Sequence, residues 1–360
     1  MPTSKDKKTI VVKVGSNVLT RPDGKLDVTR MSSLVDQIAW LRQNGFEVIL
    51  VSSGSVASGR SLLRVNKALG SVEQRQLYSA VGQAKLISLY YDLFREHRIQ
   101  VGQVLTMKES FSTRHEYLNQ RSCMEIMLQN GVLPIVNEND TISVTELMFT
   151  DNDELSGLIA SMMHASTLII LSNVDGIYSN QESGKVIPTI ATGEDISQHI
   201  RQSKSTFGRG GMITKCAIAG KIADEGIEVI IANGKKDDIL INLFKHPEQT
   251  VHTTFLANPD KVSSVKKWIA HSSSFAKGSV IINQEAVKAL QGKEATSLLP
   301  VGVIRVEGNF EEGDIINITD EEGHTIALGR SSYSAEEAQK CIGKHNVKPF
   351  VHYDYMYMEN

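Results

Sequence analysis

The feature that most constrains this chain is a regular alternation of short apolar runs with helical patterns, up to about residue 245. Each run is followed by a stretch with the spacing of an amphipathic helix, and after the fourth and fifth runs a polar hairpin comes before that helix. The runs are TIVVKV (9–14), FEVILV (46–51), IQVGQVL (99–105), GVLPIV (131–136), STLIIL (166–171) and IEVIIA (227–232). Such alternation predicts an α/β fold in which an open, mainly parallel sheet is connected by crossover helices. Because the runs are nearly all apolar, we expect helices on both faces of the sheet.

The alternation ends near residue 258, and the serine-rich stretch 259–275 predicts a linker. Beyond it, the short runs GSVIIN, VGVIRVEG, DIINITD and HTIALGR are separated by glycine-bearing turns. These runs are antiparallel in character and predict a small β-barrel-like domain, with short helices at 284–291 and 334–342. The expected domains are therefore 1–258 and 276–360.

Charge and composition exclude several classes of protein. The chain has 38 basic and 41 acidic residues, and residues 276–360 alone carry a net charge of −5. Strong binding to nucleic acid requires clustered Lys and Arg, so nucleic acid is not the expected partner. There is no run of 18 apolar residues and no signal-peptide pattern at the start, which indicates a cytoplasmic protein with no membrane span. Three cysteines without a C-x-x-C pair predict neither disulfides nor a zinc site.

The stretch VSSGSVASGRS (51–61) comes close to a nucleotide-binding signature. Gly54 and Gly59 have the spacing of G-x-x-x-x-G-K-[ST], but Arg60 stands where the lysine belongs. A planar guanidinium does not replace the compact ammonium that such a loop wraps around phosphates. The helical pattern that follows the strand here extends over 54–70.

Two other segments suit phosphate groups better, and each falls at the C-terminal end of a predicted strand, the sheet edge where α/β proteins bind ligands. The first is KVGSN (13–17), in which Lys13 interrupts a buried run. A buried lysine needs an anionic partner, whereas a lysine on an edge strand would reach water. The second is TFGRGGMITK (206–215), where three glycines lead into a helix whose N-terminus attracts anions, although many glycine-rich loops are simple turns.

Two further segments, VNENDT (136–141) and FTDNDE (149–154), bring many amides and carboxylates to the same sheet edge. The residues concerned are Asn137, Glu138, Asn139, Asp140, Asp151, Asn152 and Asp153. Helix capping accounts for one or two of them. A metal cluster is one interpretation, yet magnesium in a phosphotransfer site needs few protein carboxylates. The same groups suit the ammonium and carboxylate of an amino acid equally well.

At these segments, and over essentially the whole chain, the sequence resembles the glutamate 5-kinases of the amino acid kinase family. The motifs occur in order as KVGSNVLT, LVSSGSVASGR, PIVNEND, FTDNDELS and GRGGMITK. The tail, with TSLLPVGVIRVEGNFEEGD and VHYDYM, resembles a PUA domain. The resemblance implies an amino acid kinase fold followed by a PUA domain. It also implies ATP-dependent phosphorylation of the L-glutamate side-chain carboxylate, the first step of proline biosynthesis.

The resemblance also implies roles for individual residues. The implied catalytic residues are Lys13, Lys215 and Asp153. The implied glutamate-binding residues are Ser53, Gly54, Asn137, Asp140 and Asn152, which places the amino acid, and not ATP, at the VSSG turn. The implied ATP-binding residues are Lys13, Gly15, Ser172, Asn173, Arg209, Gly210, Gly211, Met212, Ile213, Thr214 and Lys215. Mg²⁺ would accompany ATP, with no metal site built from protein residues alone. Asn173, Arg209 and Ile213 depart from the residues usual in the family.

The implied partners, besides glutamate and ATP, are proline as a feedback inhibitor, glutamate-5-semialdehyde dehydrogenase as recipient of the product, and further copies of the chain in a homo-oligomer. Two alternatives stay open at this point. One is another amino acid kinase that acts on N-acetylglutamate, aspartate or carbamate. The other is RNA binding through the PUA domain, which the acidic charge of 276–360 disfavours.

Overall fold

The computed structural model describes residues 8–63, 69–142, 152–179, 185–194, 212–259, 264–272, 275–292 and 296–358. The chain divides into two units. The first comprises Met1–Lys108 and Asn119–Lys261, and the second comprises Glu109–Leu118 and Val262–Asn360. The second unit thus includes a short segment from the middle of the chain as well as the C-terminal part. The boundaries at 258 and 276 stay a prediction.

The first unit is built on an eight-stranded sheet of order β3-β4-β2-β1-β5-β7-β8-β6. Its strands are β1 (Thr9–Val14), β2 (Glu47–Ser52), β3 (Val101–Thr106), β4 (Leu133–Glu138), β5 (Thr167–Ser172), β6 (Thr189–Ile190), β7 (Glu228–Asn233) and β8 (His252–Phe255). The six strands from β3 to β7 in this order pair in parallel, as the apolar runs predict. Strand β8 runs antiparallel to β7, and β6 pairs in parallel with β8. These last two strands are short and were not predicted, because neither contains an apolar run.

Helices cover both faces of this sheet, which confirms the predicted mainly parallel α/β architecture. The helices in this part of the sequence are α1 (Ser16–Leu19), α2 (Val28–Gln43), α3 (Ser55–Leu62), α4 (Ser71–Glu96), α5 (Arg114–Gln129), α6 (Asn152–Met162), α7 (Met212–Asp224) and α8 (Ile239–Lys245), of which α5 begins within the Glu109–Leu118 segment of the second unit. Two 3-10 helices, Lys108–Phe111 and Pro247–Gln249, also occur in this part of the chain. The predicted helix over 54–70 ends at Leu62, after which Leu63 is extended.

The two faces of β1 meet different helices. Ile10, Val12 and Val14 pack into a buried core together with residues of α2, α4 and α8. Because side chains alternate along a strand, Val11 and Lys13 point to the opposite face. Helix α6 packs on β1, β2 and β5. The alternation therefore directs one lysine of the central strand toward α6.

Helices α3 and α4 approach each other unusually closely, and two glycines make this possible. A Cβ atom on Gly82 of α4 would lie 1.8 Å from the Ser55 carbonyl oxygen and 2.3 Å from the Gly59 amide nitrogen of α3. A Cβ atom on Gly59 would lie 1.8 Å from the Tyr78 carbonyl oxygen. The two helix backbones therefore touch where only hydrogen atoms fit.

The second unit contains a five-stranded sheet of order β10-β9-β11-β12-β13. Its strands are β9 (Gly278–Ile282), β10 (Val303–Gly308), β11 (Ile315–Thr319), β12 (Thr325–Arg330) and β13 (Met356–Met358). Its helices are α9 (Ser264–Ala270), α10 (Gln284–Leu290) and α11 (Ala335–Cys341), with 3-10 helices at Pro300–Gly302 and Tyr353–Tyr355. The four predicted runs form β9 to β12. Strand β9 pairs in parallel with β11, which the antiparallel character of the runs did not predict.

The core of the second unit lies against its sheet. Phe310 and Phe350 are fully buried there and pack with apolar residues of the strands. Helix α9 packs on β12, on β13 and on Tyr353–Tyr355. The Trp268 indole of α9 donates a hydrogen bond to the Phe111 carbonyl oxygen at 3.1 Å, which ties the mid-chain segment to this unit. Among the helices in the described ranges, none is long and apolar enough to cross a membrane.

Replacing Gly82 with alanine is expected to destabilise the first unit. The added methyl group has no room between α3 and α4, so we expect the free energy of unfolding to fall by about 1–3 kcal/mol. Gly220→Ala is the matched control, because Gly220 lies inside α7 with nothing within 4 Å of its would-be Cβ. That variant should gain up to about 1 kcal/mol from the better helix propensity of alanine. Urea unfolding followed by circular dichroism measures both, and equal stability of the two variants would contradict the close helix contact.

Candidate active site

The centre of the candidate site is a buried carboxylate held by two lysines. Lys13 lies near the end of β1, Asp153 in the first turn of α6, and Lys215 in the first turn of α7. The Lys13 ammonium pairs with one oxygen of the Asp153 carboxylate, and the Lys215 ammonium donates a hydrogen bond to the other. Asp153 is fully buried, and Lys13 is 5% exposed. Three predicted residues that are far apart in sequence therefore meet at one point.

Local structural preferences explain the positions of Lys13 and Asp153. The position of Lys215 is explained instead by its ion pair with Asp153. The face alternation of β1 directs Lys13 toward α6, and an acidic residue such as Asp153 is favourable in the first turn of a helix. Lys215 is unfavourable in the first turn of α7, because its charge adds to the positive end of the helix dipole. The ion pair with Asp153 compensates for this placement.

Asp153 is ionised under all ordinary conditions. Burial on its own raises its pKa, but the nearby Lys13 and Lys215 ammonium groups outweigh burial and lower the pKa from 3.8 to about 2. The three side chains together carry one net positive charge. A partly buried centre of this kind attracts an anion strongly, because its charge is poorly screened by water.

A second group of side chains lies where β2 and β4 end. The Asn152 side-chain amide donates hydrogen bonds to the Ser52 carbonyl oxygen at 3.1 Å and to the Ser53 hydroxyl at 2.9 Å. It also reaches the Asn137 side-chain oxygen at 3.1 Å. The Asn137 amide in turn donates to the Gln83 side-chain oxygen of α4 at 2.8 Å. Asn152 directly precedes Asp153, so this amide network adjoins the lysine–carboxylate centre.

Two more carboxylates of the NEND segment are joined by one arginine. The Arg75 guanidinium of α4 donates to the Glu138 carboxylate at 2.7 Å, and its Nε donates to Oδ1 of Asp140 at 2.7 Å. The Ser55 hydroxyl donates to Oδ2 of Asp140 at 3.2 Å. Both carboxylates are buried. This group, consisting of Arg75, Glu138, Asp140 and Ser55, is called the arginine cluster below.

The stretch that resembles a P-loop has a different structure. Gly54 has a φ of +106°, which side-chain-bearing residues rarely adopt, and α3 starts at the very next residue. Gly59 lies inside that helix and faces α4, as described above. A P-loop wraps phosphate with free backbone N–H groups, whereas from Ser58 onward the helix uses them, since the Ser58 amide donates to the Gly54 carbonyl oxygen at 2.9 Å. The spacing of Gly54 and Gly59 therefore reflects a sharp turn and a helix contact.

The residues implied for ATP binding that the structure describes lie at the same edge of the sheet. The Gly15 amide donates to the Leu171 carbonyl oxygen at 3.2 Å, and a Cβ there would lie 3.4 Å from the Lys13 ammonium nitrogen. Ser172 ends β5 and is buried, and Asn173 follows it and is exposed. Met212, Ile213 and Thr214 form the first turn of α7, with Ile213 54% exposed. Arg209, Gly210 and Gly211 lie outside the described residues.

The acidic residues of this site that the structure describes do not group as metal ligands. Within the described ranges, the one set of three His, Cys, Asp or Glu side chains close enough to share an ion is Asp320, Glu322 and His324, in the turn after β11. These residues belong to the second unit and lie at its surface. At the candidate site, lysines hold Asp153 and an arginine holds Glu138 and Asp140.

Comparison with known proteins shows the family to which the chain belongs. Residues 8–233 match the amino acid kinase family, and residues 278–352 match the PUA domain. The chain belongs to the amino acid kinase family.

Curated relatives of this amino acid kinase align over nearly the full length. A glutamate 5-kinase of Bacteroides thetaiotaomicron is 62% identical over 353 residues, which cover 97% of this chain and 98% of that protein. A glutamate 5-kinase of Chlorobaculum tepidum is 50% identical and covers 97% of each. Among solved structures, carbamate kinase from Giardia lamblia bound to AMP-PNP has a TM-score of 0.50 at 16% identity, with 70% of this chain and 99% of that chain covered. That similarity confirms the amino acid kinase part of the predicted fold.

The sequence patterns did not identify the residues that α4 contributes to the candidate site of this amino acid kinase. Arg75, Ser79 and Gln83 are four residues apart and therefore share one face of the helix. Arg75 and Gln83 both contact residues of the site, and the Ser79 hydroxyl donates to the Arg75 carbonyl oxygen at 2.5 Å. A polar row at four-residue spacing on a long helix was the available signal. This row alone did not predict a site, because it belongs to no known motif.

The pKa of Asp153 leads to a prediction about stability and pH. At pH 7, Asp153→Asn leaves two ammonium groups without their anion, so we expect a loss of about 3–5 kcal/mol in the free energy of unfolding. The folded pKa of about 2 is below the unfolded value of 3.8. The stabilisation is therefore complete above about pH 4 and is lost as the pH falls toward 2. The difference between wild type and variant should thus shrink by about 2 kcal/mol over this window.

Urea unfolding of both proteins at several pH values from 7 to 2.5 measures this difference. Asp92→Asn is the control, because Asp92 lies on the exposed face of α4 and pairs with Arg95 at the surface. It should change stability by less than about 1 kcal/mol. A difference for Asp153→Asn that stays constant down to pH 2.5 would show that its carboxylate is not stabilised by the two lysines.

Proposed function

We propose that this chain transfers the γ-phosphoryl group of ATP to the side-chain carboxylate of L-glutamate, forming L-glutamyl 5-phosphate and ADP in the first step of proline biosynthesis. The observation that carries the proposal is the buried Asp153 carboxylate with Lys13 and Lys215 on its two oxygens, beside a group of amides and carboxylates. The curated relatives support the choice of glutamate, because glutamate 5-kinases align at 62% and 50% identity over nearly the whole chain.

The reaction needs no general base. The side-chain carboxylate of glutamate has a pKa of about 4.3 and is ionised at neutral pH, so it can attack phosphorus directly. What opposes the reaction is repulsion between this carboxylate and the triphosphate, together with the cost of aligning them. Lys13 and Lys215 lower the repulsion by placing two positive charges beside the transferred group. Asp153 stays ionised and keeps both ammonium groups in place.

Mg²⁺ bound to ATP supplies further neutralisation of the triphosphate. The described carboxylates of the site are already paired with cations, since Asp153 contacts two lysines and Arg75 contacts Glu138 and Asp140. This donor set suits a magnesium ion whose ligands are mainly phosphate oxygens and water, which is the usual arrangement in phosphotransfer sites.

The amide network and the arginine cluster suit the amino acid end of glutamate. Asn137, Asn152 and the Ser53 hydroxyl offer donors for carboxylate oxygens, and Asp140 offers an anion for the α-ammonium group. A free amino group distinguishes glutamate from N-acetylglutamate. The near-full-length relatives do not favour N-acetylglutamate, aspartate or carbamate as acceptor. The net charge of −5 over residues 276–360 does not favour RNA.

Three further features belong to this proposal. They are feedback inhibition by proline, hand-off of the labile acyl phosphate to glutamate-5-semialdehyde dehydrogenase, and assembly as a homo-oligomer. The support for each is the resemblance to the glutamate 5-kinases.

Trapping the product tests the proposed acceptor. The protein is incubated with ATP, Mg²⁺, the candidate acid and hydroxylamine, which converts an acyl phosphate into a hydroxamate. The hydroxamate forms a coloured complex with iron(III), and we expect this colour with L-glutamate. N-acetylglutamate, aspartate and carbamate should give little or none, since none presents both a free α-amino group and a side chain of glutamate length. A signal with N-acetylglutamate and none with glutamate would refute the proposal.

Substitution of Lys215 tests the proposed position of the phosphates. Lys215→Met should lower kcat by on the order of 10²-fold or more, the usual effect of removing one preorganised charge from a transition state. Arg60→Met is the control from the P-loop-like stretch. The Arg60 guanidinium lies 5.6 Å from the Tyr78 ring centroid at the surface of α3, so its loss should leave kcat close to wild type. The reverse result would place the phosphates at GSVASGR.

A further inference from the structure

We propose that Arg75 is a positioning residue that sets the charge of the amino acid pocket and thereby selects a substrate with one free ammonium group. This inference rests on the proposed function. It starts from the arginine cluster, in which one guanidinium contacts two buried carboxylates, Glu138 and Asp140, and is itself 22% exposed.

The two carboxylate oxygens of Asp140 contact different helices on two sides of the pocket. Arg75, on α4, takes Oδ1. The Ser55 hydroxyl, at the start of α3, donates to Oδ2. Ser55 directly follows the Ser53–Gly54 turn, which is the turn proposed to face glutamate. A carboxylate oxygen accepts two hydrogen bonds, so Oδ2 can accept one from a substrate ammonium group while Arg75 keeps the carboxylate from rotating.

The charges of the cluster point to the same role. Glu138 and Asp140 carry two negative charges and Arg75 one positive charge, so the pocket has a net charge of −1. The α-ammonium group of glutamate offsets this charge beside Asp140, while its α-carboxylate faces the neutral donors of the amide network and its side-chain carboxylate faces the lysine centre. An N-acetylated acid brings no cation and leaves the excess charge in place. Without Arg75 the cluster would carry two negative charges, so it would repel the carboxylates of glutamate and Asp140 would be held less firmly toward the ammonium group.

The test is a double-mutant cycle on Arg75 and Glu138 that reads KM and kcat separately. Arg75→Met should raise the KM for glutamate about 10- to 100-fold, the scale of losing hydrogen bonds to a charged group, while the KM for ATP changes little. Arg75→Lys keeps the charge without the planar fork and should show a smaller rise. Arg95→Met, on the exposed end of the same helix, is the matched control and should behave like wild type.

The decisive variant combines Arg75→Met with Glu138→Gln. Each single change shifts the pocket charge by one, in opposite directions, so the double variant has the original charge of −1. We expect its KM for glutamate to lie below that of Arg75→Met alone, a non-additive result that lost packing would not produce. Circular dichroism checks that all variants are folded.

The outcomes separate this inference from the function on which it rests. If the wild-type chain forms no glutamyl phosphate, the proposed function fails and the inference with it. If the wild type is active and Arg75→Met leaves the KM for glutamate unchanged, only the inference fails. It fails equally if the double variant binds glutamate no better than Arg75→Met, since Arg75 would then act through structure and not through charge.

Discussion

The interaction on which the rest of the site depends is the buried Asp153 carboxylate between Lys13 and Lys215. Two ammonium groups that share a buried site would repel each other, and an isolated carboxylate there would lose its hydration. Together they form a centre with one net positive charge whose anion has a pKa of about 2. A rigid positive centre of this kind suits a reaction between two anions, because its groups need no rearrangement when charge moves during phosphoryl transfer.

The fold brings the parts of this centre together through the sheet. Alternation along β1 places four apolar residues in cores and directs Lys13 toward α6. Helix α6 then delivers Asn152 to the amide network and Asp153 to the lysines in consecutive positions. At the proposed amino acid pocket, the contact between Gly59 and Gly82 fixes α3 against α4. The first of these helices starts at the Gly54 turn and the second carries Arg75, so a structural contact sets the width of the proposed amino acid pocket.

Much of this arrangement could be predicted from the sequence, and the exceptions have physical causes. Apolar runs revealed the six parallel strands because strands covered on both faces need continuous hydrophobicity. Strand β8, with the sequence HTTF, was not predicted because it is largely polar and lies next to the edge strand β6. The buried lysine in TIVVKV indicated an anionic partner but could not identify Asp153, since the contact joins residues 140 positions apart. Arg75 was missed because its contacts with Glu138 and Asp140 arise from the packing of α4, and the polar row on that helix matches no motif.

The most direct test of the account is a crystal structure of the protein with glutamate, Mg²⁺ and a non-hydrolysable ATP analogue. We expect oxygens of the γ-phosphate at hydrogen-bond distance, about 2.7–3.2 Å, from the ammonium groups of Lys13 and Lys215, with Asp153 still between these lysines. The side-chain carboxylate of glutamate should point at the γ-phosphorus from the direction of the Ser53–Gly54 turn. An analogue whose phosphates lie at residues 54–60, with both lysines still occupied only by Asp153, would contradict the account.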